Sequence, residues 1–310
     1  MTSRYLLARP SFDPVLSVLV LVVALLVTGC GSFGPGDGGP LVTRPPEATP
    51  TGGPPATGEP TTAPSPGPTA EPADTIVVKV HFFAGDGALV AVARTIPRTQ
   101  AVARAALGLL LDGPPAAWPD LSTAVPAGTL LLGVSIADQI ATVDLSREFE
   151  SGGGSASMFG RLAQVVFTLT QFPTVDGVLF RLDGHPVTVF SGEGIVLDGP
   201  STRADYTAFL PPIFVDTPGR GGVLGNPARL VGLANTFEAS FIVEIRDVAG
   251  RVLAGGPAMA TCGTGCWGTF DLTIPYAVAA EGPGSVVVYE LSAKDGSVVN
   301  LRETPVTLTP

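Results

Sequence analysis

Past Leu197-Asp198-Gly199-Pro200 the hydrophobic pattern of the chain changes period, and this change decides what it can fold into. Before it, apolar residues recur at helical spacing in two stretches; after it, the helical period is gone. From 213 onward the apolar residues fall in runs at 213–215, 228–234, 240–247, 251–254, 268–274, 285–292 and 299–308, separated by Gly, Pro, Asn and Asp. Seven such runs in about 100 residues have the spacing of two packed sheets, so 207–310 is expected to form an all-β, immunoglobulin-like sandwich.

The stretch 75–199 reads differently. Residues 76–83 alternate with Lys79 and His81 on one parity, and 88–95 is a second apolar strand after the turn Gly85-Asp86-Gly87; the two predict a hairpin. Thr99 offers an N-cap to a helix over 100–111, stopped by Asp112-Gly113-Pro114-Pro115. Strands over 129–137 and 139–145 follow, then a helix over 157–172 whose Met158, Phe159, Leu162, Val165, Val166, Leu169 and Phe172 form one apolar face. Strands at 177–182 and 186–190 flank an Asp183-Gly184 turn. Strand pairs alternating with single helices predict an α+β module with one sheet covered by two helices.

Upstream of both modules lies an address. Arg4 and Arg9 precede an uncharged apolar run over 15–27. As a helix this run is about 20 Å long, short of the roughly 30 Å hydrocarbon core, so it reads as the apolar region of a signal peptide over 1–29. The segment Val27-Thr28-Gly29-Cys30 resembles a bacterial lipobox. The resemblance implies a diacylglycerol on Cys30 as the mature N-terminus, against an ordinary secretory signal or an uncleaved anchor. Two acyl chains hold a soluble domain at a membrane durably. Between Gly31 and Asp74, 44 residues contain 12 Pro and 9 Gly with no hydrophobic period. Nothing there offsets the entropy of ordering, so 30–74 is expected to be a disordered stalk.

Composition narrows the partners. The chain has 27 acidic against 17 basic residues, a net charge of −10, which repels phosphate backbones and excludes a nucleic-acid partner. Attachment to a membrane must then come from the lipid. With two His and three Cys, the stock of metal ligands and nucleophile–base pairs is small.

Two family resemblances follow from particular segments. Ala141-Thr142-Val143-Asp144-Leu145-Ser146-Arg147-Glu148-Phe149, then Leu162-Ala163-Gln164-Val165-Val166-Phe167-Thr168-Leu169-Thr170-Gln171-Phe172 and residues 178–184 resemble the GerMN domain of sporulation and spore-germination proteins. The resemblance spans about 76–198 and implies a compact unit similar to ring-building modules, with no catalysis. Pro227-Ala228-Arg229-Leu230-Val231-Gly232-Leu233-Ala234, Phe237-Glu238-Ala239, Cys266-Trp267-Gly268-Thr269-Phe270 and Lys294-Asp295-Gly296-Ser297 resemble the immunoglobulin-like Gmad domain. The order of the two domains supports both.

Among candidate sites, Cys262-Gly263-Thr264-Gly265-Cys266 is the sharpest. Its glycines let the backbone fold tightly enough to bring the sulfurs together, which favours a disulfide in an exported protein over a zinc site, a redox pair or two free thiols. Trp267 beside it is expected to pack into the sandwich. The Gly152-Gly153-Gly154 loop lacks the Lys-Ser/Thr of a phosphate loop and reads as a flexible strand-to-helix connection, with anion binding as the lesser reading. His81 is expected to point to solvent and His185 to follow a hairpin turn. Asp144, Glu148 and Glu150 read as a solvated strand end with Arg147 as their partner. No catalytic residue, cofactor or metal ligand is assigned. The sequence thus points to a lipid-anchored binding or assembly module on the extracytoplasmic face of the cell membrane. Its expected partner is an envelope protein or cell-wall component, and oligomers are compatible with it. The rival is an envelope enzyme or sensor acting on wall glycan or peptide through a cleft between the modules, with Asp205 and Glu193 as its carboxylate pair.

Overall fold

The structure is a computed structural model that describes residues 74–310. The segment expected to be a signal peptide, the expected lipidation site Cys30 and the expected stalk up to residue 73 lie outside the described residues.

The first module opens with β1 (Thr75–Phe83) and β2 (Leu89–Pro97), an antiparallel hairpin in unbroken register from Thr75↔Pro97 to Phe83↔Leu89. It continues with α1 (Val102–Leu111), β3 (Leu131–Ala137), β4 (Ile140–Leu145), α2 (Ser155–Leu169), β5 (Gly177–Leu182) and β6 (His185–Pro186), and ends in the short pair β7 (Val189–Phe190) and β8 (Ile195–Val196). Strands β3-β4-β5-β6 form one sheet in that order. The β4–β5 pair is parallel and connected through α2, while its neighbours are antiparallel. Both helices pack against β1 as well as against each other. Helix α2 is buried around most of its girth, with Leu162, Val165, Val166, Phe167 and Leu169 fully enclosed.

The second module contains β9 (Ile213–Thr217), β10 (Val223–Leu224), β11 (Ala228–Ala234), β12 (Ser240–Asp247), β13 (Val252–Met259), β14 (Gly268–Ile274), β15 (Gly282–Leu291) and β16 (Val298–Leu308). Two sheets, β10-β16-β15-β12-β13 and β14-β11-β9, face each other. Their alternating inward residues, among them Leu230, Phe241, Ile245, Phe270, Val286 and Val306, make the sandwich core.

Four local expectations are corrected. The hairpin β1–β2 is a two-stranded sheet of its own rather than part of the sheet of β3 to β6. Helix α1 starts later than expected: its N-cap is Ala101, and Thr99 Oγ1 instead accepts from the Ala101 N–H at 3.1 Å. Helix α2 ends at Leu169, because the Thr170 hydroxyl donates to the Val166 carbonyl and the next residue, Gln171, turns to the hairpin. Strand β13 runs on through Gly255-Gly256-Pro257, which read as a break in the sequence. It is an edge strand, where Pro and Gly are tolerated. Gly255 sits at φ +137°, and a Cβ there would lie 2.1 Å from the Val243 carbonyl oxygen.

Strand β9 determines how the modules join. Its side chains alternate between two cores: Ile213 and Val215 enter the sandwich, while Phe214 belongs to the core of the first module. Gly232 of β11 lies against this strand, and a Cβ there would meet the Phe214 carbonyl oxygen at 2.0 Å and the Phe270 ring at 2.5 Å. Gly232→Ala should therefore overpack the sandwich and cost about 1–3 kcal/mol, read as a lower midpoint in urea with an unchanged slope.

Candidate interaction site at the junction of the modules

The alternation that puts Phe214 into the first module puts Asp216 on the same side two residues on. Its carboxylate is almost enclosed. Asp216 Oδ2 accepts from Lys79 Nζ at 2.7 Å and from Arg203 Nη1 at 3.2 Å, and Oδ1 accepts from His81 Nε2 at 3.0 Å. Lys79 and His81 come from β1, and Arg203 from the turn-rich segment between the modules. Lys79 Nζ also donates to Thr217 Oγ1 at 3.0 Å. Arg203 is steadied on the other side by Thr170 Oγ1 at 2.7 Å and by the face of Phe167, 4.8 Å from its centroid.

His81 was expected at the surface and is instead 0% exposed. The rings of Phe167 and Phe214 cover it, with centroids at 5.7 and 6.2 Å. Burial pushes its pKa down to about 4, although the hydrogen bond to Asp216 opposes the shift. The ring is thus neutral at pH 7, with the proton on Nε2. Burial alone would raise the Asp216 carboxyl; the hydrogen bond from His81 and the charges of Arg203 and Lys79 outweigh it and hold the group below the usual carboxylate range.

The same histidine joins a second set of bonds that sequence reading did not assign. Gln164, Thr168 and Gln171 follow one face of α2 and its C-terminal turn, and they bond to the outer edge of β1. Gln171 accepts from the Lys79 N–H at 2.7 Å and donates to the Lys79 carbonyl at 2.6 Å. Thr168 Oγ1 accepts from the His81 N–H at 3.2 Å, and Gln164 Nε2 donates to the His81 carbonyl at 2.8 Å. Beyond them, Phe83 and Ser122 exchange two backbone bonds at 2.9 and 2.8 Å. The edge that β1 would otherwise leave open is satisfied by side chains. The i, i+4, i+7 spacing of three polar residues in a buried helix was the signal available in the sequence.

Thr168, His81 and Asp216 fall in the order hydroxyl, imidazole, carboxylate, as in a nucleophilic relay. The Thr168 hydroxyl lies 3.4 Å from His81 Nδ1. Thr168 and His81 are both 0% exposed, so this hydroxyl faces protein on every side. The arrangement positions the hairpin against α2 and β9.

The other sequence candidates have separate places. Asp144 Oδ1 accepts from the Gly184 N–H at 2.9 Å. Arg147 was expected to serve Asp144, Glu148 and Glu150, but its Nε is 3.5 Å from Asp183. Asp205 and Glu193 do not form the expected pair: Asp205 caps its own turn through the Thr202 N–H at 2.6 Å, and Glu193 accepts from Ser155 Oγ. His185 is exposed on β6. The triple-glycine loop is held rather than free, since Arg161 Nη2 donates to the Gly152 carbonyl at 2.6 Å and Nη1 to the Phe149 carbonyl at 2.8 Å. Among the described residues, no group of three or more His, Cys, Asp or Glu side chains is placed to hold a metal ion.

Cys262 and Cys266 are joined as a disulfide with Cα atoms 5.8 Å apart. Trp267 departs from expectation. Its half-buried ring packs on the core of the first module rather than inside the sandwich. It lines a groove of about 500 Å³ with Val231, Leu233, Arg203 and Asp216. A loop of about five residues implies about 2 kcal/mol from the crosslink on the chain-entropy estimate. Reduction should therefore lower the melting temperature modestly and leave the sandwich folded, as calorimetry with and without reductant would read.

Comparison with known proteins agrees with this architecture. Residues 79–188 match the family model Germane, described as sporulation and spore germination. Residues 212–297 match Gmad2, the immunoglobulin-like domain of bacterial spore germination. The spore germination protein GerM of Bacillus subtilis is 26% identical over 203 residues, 62% of this chain and 55% of the relative. The chain thus spans about half the length of that protein. Among solved structures, the first GerMN domain of the same protein is 26% identical, with a TM-score of 0.38, over 42% of this chain and 99% of that one. Its tandem GerMN domains give 18% identity and a TM-score of 0.40 over 76% of this chain and 61% of that one. The chain therefore carries a GerMN domain of the sporulation and spore germination family followed by a Gmad2 immunoglobulin-like domain, and is similar to the spore germination protein GerM.

Proposed function

We propose that this chain is a non-catalytic binding and assembly module of the bacterial cell envelope, held at the extracytoplasmic face of the membrane by a lipid on Cys30. The observation that carries this reading is the junction. The residues with the most strongly shifted titration, His81 and Asp216, are spent on holding two modules together. A single strand, β9, serves both cores. Such a pair of modules presents its surfaces in fixed relative positions, which suits assembly with an envelope protein or a cell-wall component. The GerMN and Gmad2 domains favour a role in sporulation or germination where the host forms spores.

The test is fractionation of cells producing the chain. Wild-type protein should partition into detergent and carry a diacylglycerol on Cys30, whereas Cys30→Ala should remain an unprocessed precursor or leave the detergent phase. An unmodified Cys30 in the mature wild-type protein would sink the anchor. Hydrolysis of wall glycan or peptide by the purified chain, lost on substitution of Asp205 or Glu193, would replace the binding reading with the enzymatic one.

A further inference from the structure

The outer edge of β3 is an open strand edge of the first module. The hairpin's own edges are met: β1 by Gln164, Thr168 and Gln171, and β2 by the Arg220 backbone, which donates to the Ala91 carbonyl at 2.7 Å and accepts from the Ala93 N–H at 3.0 Å. Strand β3 stands first in its sheet, with β4 on one side only. Among the described residues, no backbone bond from outside the β3–β4 ladder reaches residues 131–137. The strand also reaches water, with Leu132 47% and Ile136 41% exposed. Its sequence, Leu131-Leu132-Gly133-Val134-Ser135-Ile136-Ala137, contains neither a charge nor a proline, the usual means of blunting an edge.

The turn after β3 determines which backbone groups point outward. Asp138 and Gln139 join β3 to β4 with φ of +49° and +63°, a two-residue turn of the I′ kind. The flanking Ala137 and Ile140 are therefore a hydrogen-bonded pair, and bonding alternates along the strand from there. Ser135 faces β4 as Ala137 does, so the N–H and C=O of Val134 and Ile136 face away from the sheet. Beside this edge lies a groove of about 410 Å³ between β3, the start of α1 and the turn after α2, lined by Val102, Arg104, Val134, Ile136, Phe172 and Pro173 among others. Val134 and Ile136 are on the helix-covered face, opposite the buried Val143 and Ala141. A strand added at the edge alternates in the same way, so every second side chain enters the groove. Arg104 is exposed and is the one charged residue lining it.

We propose that the open edge of β3 binds an extended segment of a partner protein, which adds as a strand on Val134 and Ile136 and places apolar side chains and one carboxylate in the groove beside α1. Backbone pairing supplies the affinity, and the alternate side chains supply the selectivity. Charge favours this occupant over a second copy of the chain. Strand β3 contains no acidic residue, so β3 of a second copy laid along this edge would leave Arg104 without a counter-ion, whereas an acidic residue in the partner strand meets it. The inference rests on the binding reading, to which it adds the chemistry of the partner, and is independent of the lipid anchor.

The probe is a capped octapeptide alternating threonine with valine, one valine replaced by glutamate, added to the full-length chain in detergent. It should slow amide exchange at Val134 and Ile136 by about tenfold or more, because these N–H groups have no protein partner in the free chain. Of the two peptides N-methylated at alternate backbone nitrogens, the one that blocks the set facing β3 should bind about tenfold more weakly. Arg104→Glu, at an exposed position that the fold does not depend on, should reverse the preference between the glutamate peptide and its lysine counterpart, by about threefold to fivefold for a surface pair. Binding of both N-methylated peptides as tightly as the parent would reduce the effect to adsorption on the apolar groove and overturn the proposal. Unchanged exchange at saturating peptide would do the same, and so would protection that rises with the concentration of the chain alone, which would assign the edge to a second copy. Hydrolysis of wall glycan or peptide would strike the broader binding reading while leaving this exchange result standing.

Discussion

Replacing Asp216 with Ala should lower the stability of the joined modules by about 3–5 kcal/mol, the range found when one partner of a buried ion pair is removed. The cause is what remains behind. Lys79, His81 and Arg203 converge on this one carboxylate within 3.2 Å, and without it two cations face each other at a site from which water is largely excluded. Asp216→Asn keeps the shape and should cost nearly as much, because the charge rather than the volume is missing. The exposed pair Arg229–Asp271 is the control: it has good geometry, at 2.7 Å, but lies in water, where such pairs contribute little. Urea unfolding of the variants separates these outcomes. A small effect of Asp216→Ala would mean that the Phe214 side of β9 holds the modules without the charges.

The effect should also be localised. Phe214 and Asp216 occupy one face of β9, and Ile213 and Val215 the other. Asp216→Ala should therefore release amide protection in β1 and β9 before it reaches the five-stranded sheet around β15.

Much of this architecture was legible in the sequence, and the missed parts share a cause. Both helices and the sandwich strands follow from periodicity, which is local. The hairpin register follows from a turn at Gly85-Asp86-Gly87. The environment of His81 depends on a residue 135 positions away. Alternation placed Lys79 and His81 on one face of β1 correctly, and an uncovered hairpin would leave that face in water. The second module covers it. Trp267 failed expectation for the same reason, since its neighbours in sequence are sandwich strands but its neighbours in space include the first module. Gln164, Thr168 and Gln171 lay within the segment that carried the family resemblance, yet their role became visible only with the β1 edge beside them. Arg147 was paired with the nearest carboxylates in sequence, whereas the turn after β5 brings Asp183 closer.

Acidification should loosen the same junction well above the pH at which carboxylates titrate. His81 has a folded pKa of about 4 against an ordinary value of 6.5. Between those values the unfolded chain binds a proton that the folded chain excludes, so stability falls as pH falls from about 6.5 to 4. The slope approaches about 1.4 kcal/mol per pH unit, and the full loss is about 3 kcal/mol. Below that window both states are protonated at His81 and its contribution levels off. Asp216 then adds to the loss in the same direction, because its lowered pKa stabilises the fold only while the unfolded carboxyl is ionised. The groups facing the imidazole are Asp216 from β9, Lys79 from β1 and Arg203 from the connecting segment, with uncharged Phe167 and Thr168 from α2. The two cations oppose protonation and the carboxylate favours it, while burial sets the sign. His81→Gln should remove the pH dependence between 6.5 and 5 while leaving the fall below pH 4. Melting temperatures across pH 4 to 8 for the two proteins would read the difference, and parallel profiles would show that His81 is not the group being titrated.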